Sequence, residues 1–232
     1  MNKLWLFDPS ENPGSWKKPE DGRVFREIRT DAQPQGNGEG RGGDTDDGSG
    51  RTVAYVERSL TAGGVEEYRK ARKKGIRAFA LWADPHRVHP FARVLTRSVQ
   101  GGASTFEVLG PAGEQLALIT RQKAFSKRIR TRWTVQQAGR PAVTGAKGRV
   151  FWYFVWYLLL PVWAFLAFGS PDVPRTPVRT RWKLDGQSVL DWRSDQLNVL
   201  AEWWDPRVVS ALVILTAGHA GWAGKPWDDT TS

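Results

Sequence analysis

Few side chains in this sequence are equipped for covalent or metal chemistry. It contains no cysteine, so thiolate nucleophiles, disulfides, zinc–thiolate sites and S-palmitoylation are excluded. His86 and His89 stand three apart in ADPHRVHPF, but Pro85 and Pro90 flank them and oppose a helix that would present both to one ion. Asp44, Asp46 and Asp47 resemble the start of a calcium loop, yet the fifth position, where an oxygen ligand is needed, is Gly48. No nucleophile elbow, P-loop or dinucleotide glycine pattern occurs. The residues therefore predict no catalytic group, no metal ligand and no cofactor, and a protein that is not an enzyme.

What the residues can do is associate with apolar and anionic surfaces. Residues 150–169 read VFWYFVWYLLLPVWAFLAFG and carry no charge. About 20 helical residues span a hydrocarbon core roughly 30 Å thick, so this run is a candidate membrane segment. Within it Phe151, Trp152, Tyr153, Trp156, Tyr157, Pro161, Trp163, Phe165 and Phe168 are the residues expected to insert, and Trp and Tyr favour the membrane interface. Trp152, Trp156 and Trp163 also fall on one helical stripe.

The charge lies immediately before this run. Residues 51–150 hold 20 basic and 6 acidic side chains, a net of +14, whereas 1–50 hold 7 and 10 and 151–232 hold 7 and 8. Such a block attracts polyanions. Arg69, Lys70, Lys73, Lys74, Lys123, Lys127, Arg128, Arg130, Arg132, Lys147 and Arg149 are the expected contacts with anionic lipid. Nucleic acid is the alternative polyanion, because Phe125 and Trp133 interleave with Lys123, Lys127, Arg128, Arg130 and Arg132 in the manner of single-strand binders. An uncharged apolar run of this length favours lipid. The expected location is a membrane, with the remaining parts cytoplasmic, since the start MNKLWLFDPSENPG lacks the 7–15 apolar residues of a signal peptide.

These residues must be positioned by elements of two kinds. Residues 105–120, TFEVLGPAGEQLALIT, are two alternating runs around a Gly-Pro-Ala-Gly turn, a β-hairpin signal. Residues 130–143 and 179–190 both open with Arg-Thr-Arg-Trp and alternate towards a Gly turn, which predicts an antiparallel sheet or barrel. Residues 61–74 predict a short helix with Thr61 as N-cap, Glu66 and Glu67 near its start and a basic end. Residues 206–217 predict a second helix, with Asp205 as N-cap, Pro206 in the first turn and Gly218 as C-cap. Apolar all round and about 18 Å long, that helix is too short to span and must be buried in protein.

The hairpins, the RW-x-V strands and the terminal apolar helix opened by Trp-Asp-Pro-Arg together resemble the tubby-like superfamily, with LURP-one-related proteins and phospholipid scramblases as the nearer relatives. The likeness covers about residues 90–217. It implies a mainly β fold, a closed antiparallel barrel threaded by a central apolar helix, and a lipid-facing or scaffold-like role. Asp191, Asp195, Glu202 and Asp205 are too scattered for the calcium segment of a scramblase, so calcium-driven scrambling is not implied.

A single crossing at 150–169 would separate the two Arg-Thr-Arg-Trp strands across a membrane, which one shared barrel forbids. Arg132, Arg140, Lys147 and Arg149 before the run balance Arg175, Arg179, Arg181 and Lys183 after it, so no positive-inside bias sets an orientation. With Pro161 at mid-run, a hairpin or re-entrant insertion is expected, with a simple span or a core element covering an open face of the barrel as the alternatives. The domain reading is an N-terminal segment 1–32, a disordered Gly/Asp-rich linker 33–50, a basic helical segment 51–90, a barrel 91–218 interrupted at 150–169, and a disordered tail 219–232.

Overall fold

Apolar residues at every second position give a strand one face to bury, as Phe106 and Val108 do in residues 103–109. The computed structural model describes residues 3–8, 25–31, 50–60, 62–124, 130–148, 179–219 and 227–229. Its strands are β1 (Lys3–Phe7), β2 (Phe25–Thr30), β3 (Arg51–Arg58), β4 (Ala78–Trp82), β5 (Pro90–Gln100), β6 (Ala103–Leu109), β7 (Gln115–Gln122), β8 (Arg132–Gln137), β9 (Val143–Lys147), β10 (Thr180–Leu184), β11 (Gln187–Arg193) and β12 (Gln196–Val199). Each pairs antiparallel with its neighbours in chain order, and β1 pairs with β12 to close a barrel without edges. Helix α1 (Gly64–Lys73) lies between β3 and β4, and α2 (Pro206–Gly218) follows β12.

Eight strands already enclose about as much room as side chains can fill, so a twelve-stranded barrel needs a further element inside. Helix α2 is that element. Val208, Val209, Ala211, Leu212, Val213, Ile214 and Leu215 are all fully buried. They pack with inward residues of the strands, among them Leu4, Ile28, Val56, Phe79, Val94, Phe106, Ile119, Val135 and Leu197. The Asp205 side chain accepts from the Arg207 N–H at 2.8 Å, so the N-cap and first-turn proline stand where the sequence places them. Gly218 is the last helical residue rather than a left-handed cap. A Cβ there would lie 3.3 Å from Trp227 Nε1, so the glycine admits a close neighbour.

The predicted hairpin at 105–120 is β6 and β7, with Phe106 opposite Ile119. The two Arg-Thr-Arg-Trp segments lead into β8 and β10, which flank β9 in one barrel. Trp133 and Trp182 both stand opposite Gly145 of β9 and both are buried. A Cβ on Gly145 would meet the Trp182 ring at 2.8 Å, so the indole of the second echo fills the space that this glycine leaves free.

The barrel extends well outside 91–218. Its strands start at Lys3, because β1 to β4 supply the staves that join β12 to β5. The segment 51–90, expected to be basic and helical, holds β3, β4 and the first residue of β5 as well as α1. The tail is likewise partly built into the fold: Trp227 and Asp228, in a 3-10 turn at Trp227–Asp229, are buried. α1 begins later than expected, with Gly63 at its N-cap position and the Glu67 carboxylate accepting the Gly63 N–H at 3.0 Å. Thr61, the linker at 33–49 and the insertion 150–169, with Phe151, Trp152, Tyr153, Trp156, Tyr157, Pro161, Trp163, Phe165 and Phe168, lie outside the described residues. Among the described residues no helix is long and apolar enough to cross a membrane.

The ends of that insertion are nevertheless placed. Lys147 and Thr180 are paired neighbours, and the Gly148 N–H donates to the Arg179 carbonyl at 2.9 Å. The chain therefore leaves and re-enters the barrel at one point. A single crossing that puts β8 and β10 on opposite sides of a membrane is incompatible with this pairing.

Candidate functional site

Antiparallel order brings many polar residues to one end of the barrel, hereafter the base. The end of β3, the start of β4, the β5–β6 turn, the end of β7, the two ends of the insertion and the C-terminus of α2 all lie there. On four strands the inward parity is apolar and ends at the base on a cation. The series are Ala54, Val56, Arg58; Leu81, Phe79, Arg77; Ala117, Ile119, Arg121; and Val143, Gly145, Lys147. Burying a cation is costly unless it is paired, so each needs a partner.

For two of these cations the partner is Asp228, which is fully buried. Its Oδ2 accepts from Arg77 Nε at 2.7 Å and from the Tyr68 hydroxyl at 3.4 Å, and Arg72 of α1 lies 3.6 Å from Oδ1. Arg58 Nη1 donates to the Asp228 carbonyl at 3.5 Å. Arg77 Nη2 also caps the helix, donating to the Gly218 carbonyl at 2.9 Å. Trp227 donates its Nε1–H to the Ile214 carbonyl at 3.1 Å and packs on Phe79. The terminal turn is thus a plug that ties α1, α2 and β4 together.

His219 continues this cluster. Its ring makes edge contacts with Phe106 and Trp133 at centroid distances of 5.9 and 5.5 Å. Nδ1 lies 2.8 Å from the Leu215 carbonyl, which assigns the proton to Nδ1 and turns the Nε2 lone pair towards Arg77 Nη1. Burial, then the charges of Arg77 and Arg121, push its pKa down to about 2. The unfolded imidazole titrates near 6.5, so below that pH the unfolded chain binds a proton that the folded one refuses. Stability is therefore complete above about pH 6.5 and declines as pH falls, by up to about 1.4 kcal/mol per pH unit. Urea unfolding at pH 7 and pH 5 is expected to show this decline. In His219→Asn, which keeps a donor for Leu215 but does not titrate, the decline is expected to shrink by about 1–2 kcal/mol. An unchanged decline would assign it to other groups.

Among the described residues no carboxylate is hydrogen-bonded to or ion-paired with Arg121 or Lys147, whereas Arg77 is paired with Asp228. The Arg121 guanidinium stands 6.0 Å from the Trp133 ring centroid, and its Nε is buried without a hydrogen-bond partner. Burial and the charge of Arg77 pull its pKa down to about 10. Burial and Arg121 likewise lower Lys147, opposed only by Asp195.

The base also carries the outward basic residues named from the sequence, and the structure sorts them. Lys70, Lys73, Lys74 and Lys123 are exposed. Arg69 is paired with Glu66 at 3.2 Å. Arg130 donates to the Gly148 carbonyl at 2.9 Å and so holds one root of the insertion, while Arg179 holds the other through a bidentate pair with Asp191. Arg132 is half-buried on the outward parity of β8, and Lys147 points into the barrel. Lys127, Arg128 and Arg149 lie outside the described residues. Arg58, Arg77, Arg121, His219 and Asp228 were not singled out by sequence reasoning. Which face each basic residue takes depends on strand register, so no local signal marked them.

At the opposite end His86 and His89 belong to a turn organised by Asp84. Its carboxylate accepts the backbone N–H groups of His86, Val88 and His89 at 2.9, 3.2 and 2.6 Å. Among the described residues no three His, Cys, Asp or Glu side chains are grouped as a metal site. No protein-family profile matches the sequence, and comparisons with curated proteins and with solved structures give no match either.

Proposed function

We propose that this protein is a membrane-associated, non-enzymatic barrel that docks its base on anionic lipid and inserts residues 151–168. One observation carries the reading: the roots of the apolar run, Gly148 and Arg179, emerge from the same barrel end that exposes Lys70, Lys73, Lys74 and Lys123. Lysines near a negatively charged leaflet contribute about 1 kcal/mol each, and an apolar aromatic segment supplies the second anchor that stable attachment needs. Anionic lipid is concentrated in the cytoplasmic leaflet, which puts the barrel on that side. A closed barrel around a terminal apolar helix is compatible with the tubby-like resemblance, and that resemblance adds a lipid-facing role. Calcium-driven scrambling is not part of the proposal.

Flotation of the purified protein with vesicles tests this. Recovery is expected with anionic vesicles, weaker recovery with neutral ones, and a fall between low and physiological salt as the Debye length shrinks from about 30 to about 8 Å. No recovery with either lipid, together with salt-sensitive retention of DNA or RNA on a filter, would transfer the base to nucleic acid. For that alternative the buried Trp133 offers no stacking surface, being 3% exposed.

A further inference from the structure

The base exposes apolar side chains as well as lysines. Among the described residues four large apolar side chains are exposed, Ile76, Val88, Val99 and Leu200, and Ile76 and Val99 share one rim of the base. β5 is the longest strand, with 11 residues, and residues 97–100 at its end are all exposed, so the β5–β6 hairpin runs out past the packed wall. Pairing continues to its tip, with Val99 opposite Ser104 and Gln100 opposite Ala103. The tip itself is Gly101 and Gly102, both with positive φ, and it carries no side chain that would hold a surface away. The end of α1 lies beside this hairpin. A Cβ on Gly75 would lie 3.3 Å from Val99 Cγ1, so Val99 rests against the turn that leads into Ile76. Ile76 is 45% and Val99 38% exposed, so each leaves a large apolar area in water.

Single exposed apolar residues are ordinary, but these two are flanked by cations. Lys73 and Lys74 close α1, and Lys123 stands beyond the hairpin tip, its N–H donating to the Gly102 carbonyl at 2.9 Å. All three lysines are exposed, and segments 68–78, 97–105 and 121–124 contain no acidic residue. By contrast, Val88 lies at the opposite end of the barrel, in the turn that Asp84 organises. We propose that the rim carrying Ile76 and Val99 rests at the headgroup level of an anionic bilayer and lowers both side chains into it. Interfacial segments dock in this way, with apolar side chains at the headgroup boundary and lysines around them. The rim belongs to α1, β5 and β6, whereas the insertion leaves between β9 and β10, and β7 and β8 separate the two. Contact at two separated points of one barrel end fixes the tilt of the barrel, which a single anchor leaves free. Two aliphatic side chains offer too little area to hold the protein alone, so the rim orients what the insertion anchors. This inference rests on the membrane reading above.

Because the full chain has no cysteine, single cysteines report position without background. Ile76→Cys, Val99→Cys and the control Val88→Cys are each labelled with an environment-sensitive nitrobenzoxadiazole and mixed with vesicles of equal parts phosphatidylserine and phosphatidylcholine. Emission is expected to brighten and shift to the blue at the two rim positions and to stay unchanged at the control. The unlabelled Ile76→Ser, Val99→Ser double variant is expected to keep the wild-type Tm, because both sites are exposed. It is also expected to partition about tenfold less onto the same vesicles. Should the double variant fail to fold, the labelled single variants carry the test.

Vesicle recovery without a spectral change at either rim position overturns the rim and leaves the insertion as the contact, so the membrane reading stands. Equal partition of wild type and double variant does the same. A change at the control as large as at the rim overturns the fixed tilt and the proposal with it. Absence of recovery for the wild type removes the membrane reading itself, and the rim falls with it.

Discussion

Asp228→Ala is expected to cost about 3–5 kcal/mol of unfolding free energy, because it strips the carboxylate paired with the buried Arg77 and with Arg72. Arg77 is 6% exposed, so it cannot recover hydration without movement of the barrel base, whereas Arg58 keeps its bond to the main-chain carbonyl of residue 228. Asp228→Asn keeps the volume and one acceptor but not the charge, and is expected to fall between wild type and alanine. Urea unfolding measures both variants. A loss below about 1 kcal/mol for alanine would mean that water already reaches these guanidinium groups. The loss is also expected to be global rather than confined to the tail. Asp228 touches α1 through Tyr68 and Arg72, the approach to β4 through Arg77, and the tail turn holds α2 through the Trp227 bond to Ile214.

Replacing residues 149–178 by Asn-Gly is expected to leave the barrel folded and to reduce vesicle recovery to background. Lys147 and Thr180 are already paired, and Gly148 already donates to Arg179, so a two-residue turn can close the same hairpin. Shortening that connection reduces its closure entropy, by roughly 2 kcal/mol on a flexible-loop estimate, so Tm is expected to stay level or rise. Removing the apolar segment leaves lysines alone, which bind membranes weakly and reversibly. Circular dichroism melts and flotation of the same preparation separate the two roles. Unchanged recovery would free the insertion from lipid, and a collapsed melt would assign it to the barrel core.

How much of this was legible depends on the range over which each signal acts. The β6–β7 hairpin was readable because its turn and its alternation sit within sixteen consecutive residues, and α2 because Asp205, Pro206 and an unbroken apolar body mark it locally. The Arg-Thr-Arg-Trp echo announced strands of one antiparallel sheet or barrel, and the structure places them on either side of β9 with Gly145 opposite both tryptophans. β1 and β2 gave little local signal. They are short, and their partners β12 and β3 are needed before either can be told from a loop.

The candidate site was only half visible. Charge counting found the basic block, and the apolar run beside it was evident, but no local pattern said that Lys147 and Arg121 turn inward while Lys70, Lys73 and Lys74 face solvent. A charged residue's face is set by strand register, and register comes from partners elsewhere in the chain. By itself, then, the sequence determined the β6–β7 hairpin, the strands opened by Arg-Thr-Arg-Trp, the apolar terminal helix and the charge-free insertion, since period, caps and turn residues act over a few positions. Closure of the barrel, the common exit of both roots of the insertion, and the meeting of Arg77 with Asp228 across 151 residues were decided by the tertiary structure alone. Hydrogen bonds between staves and the burial of unlike charges are properties of the assembled barrel, and no short segment contains them.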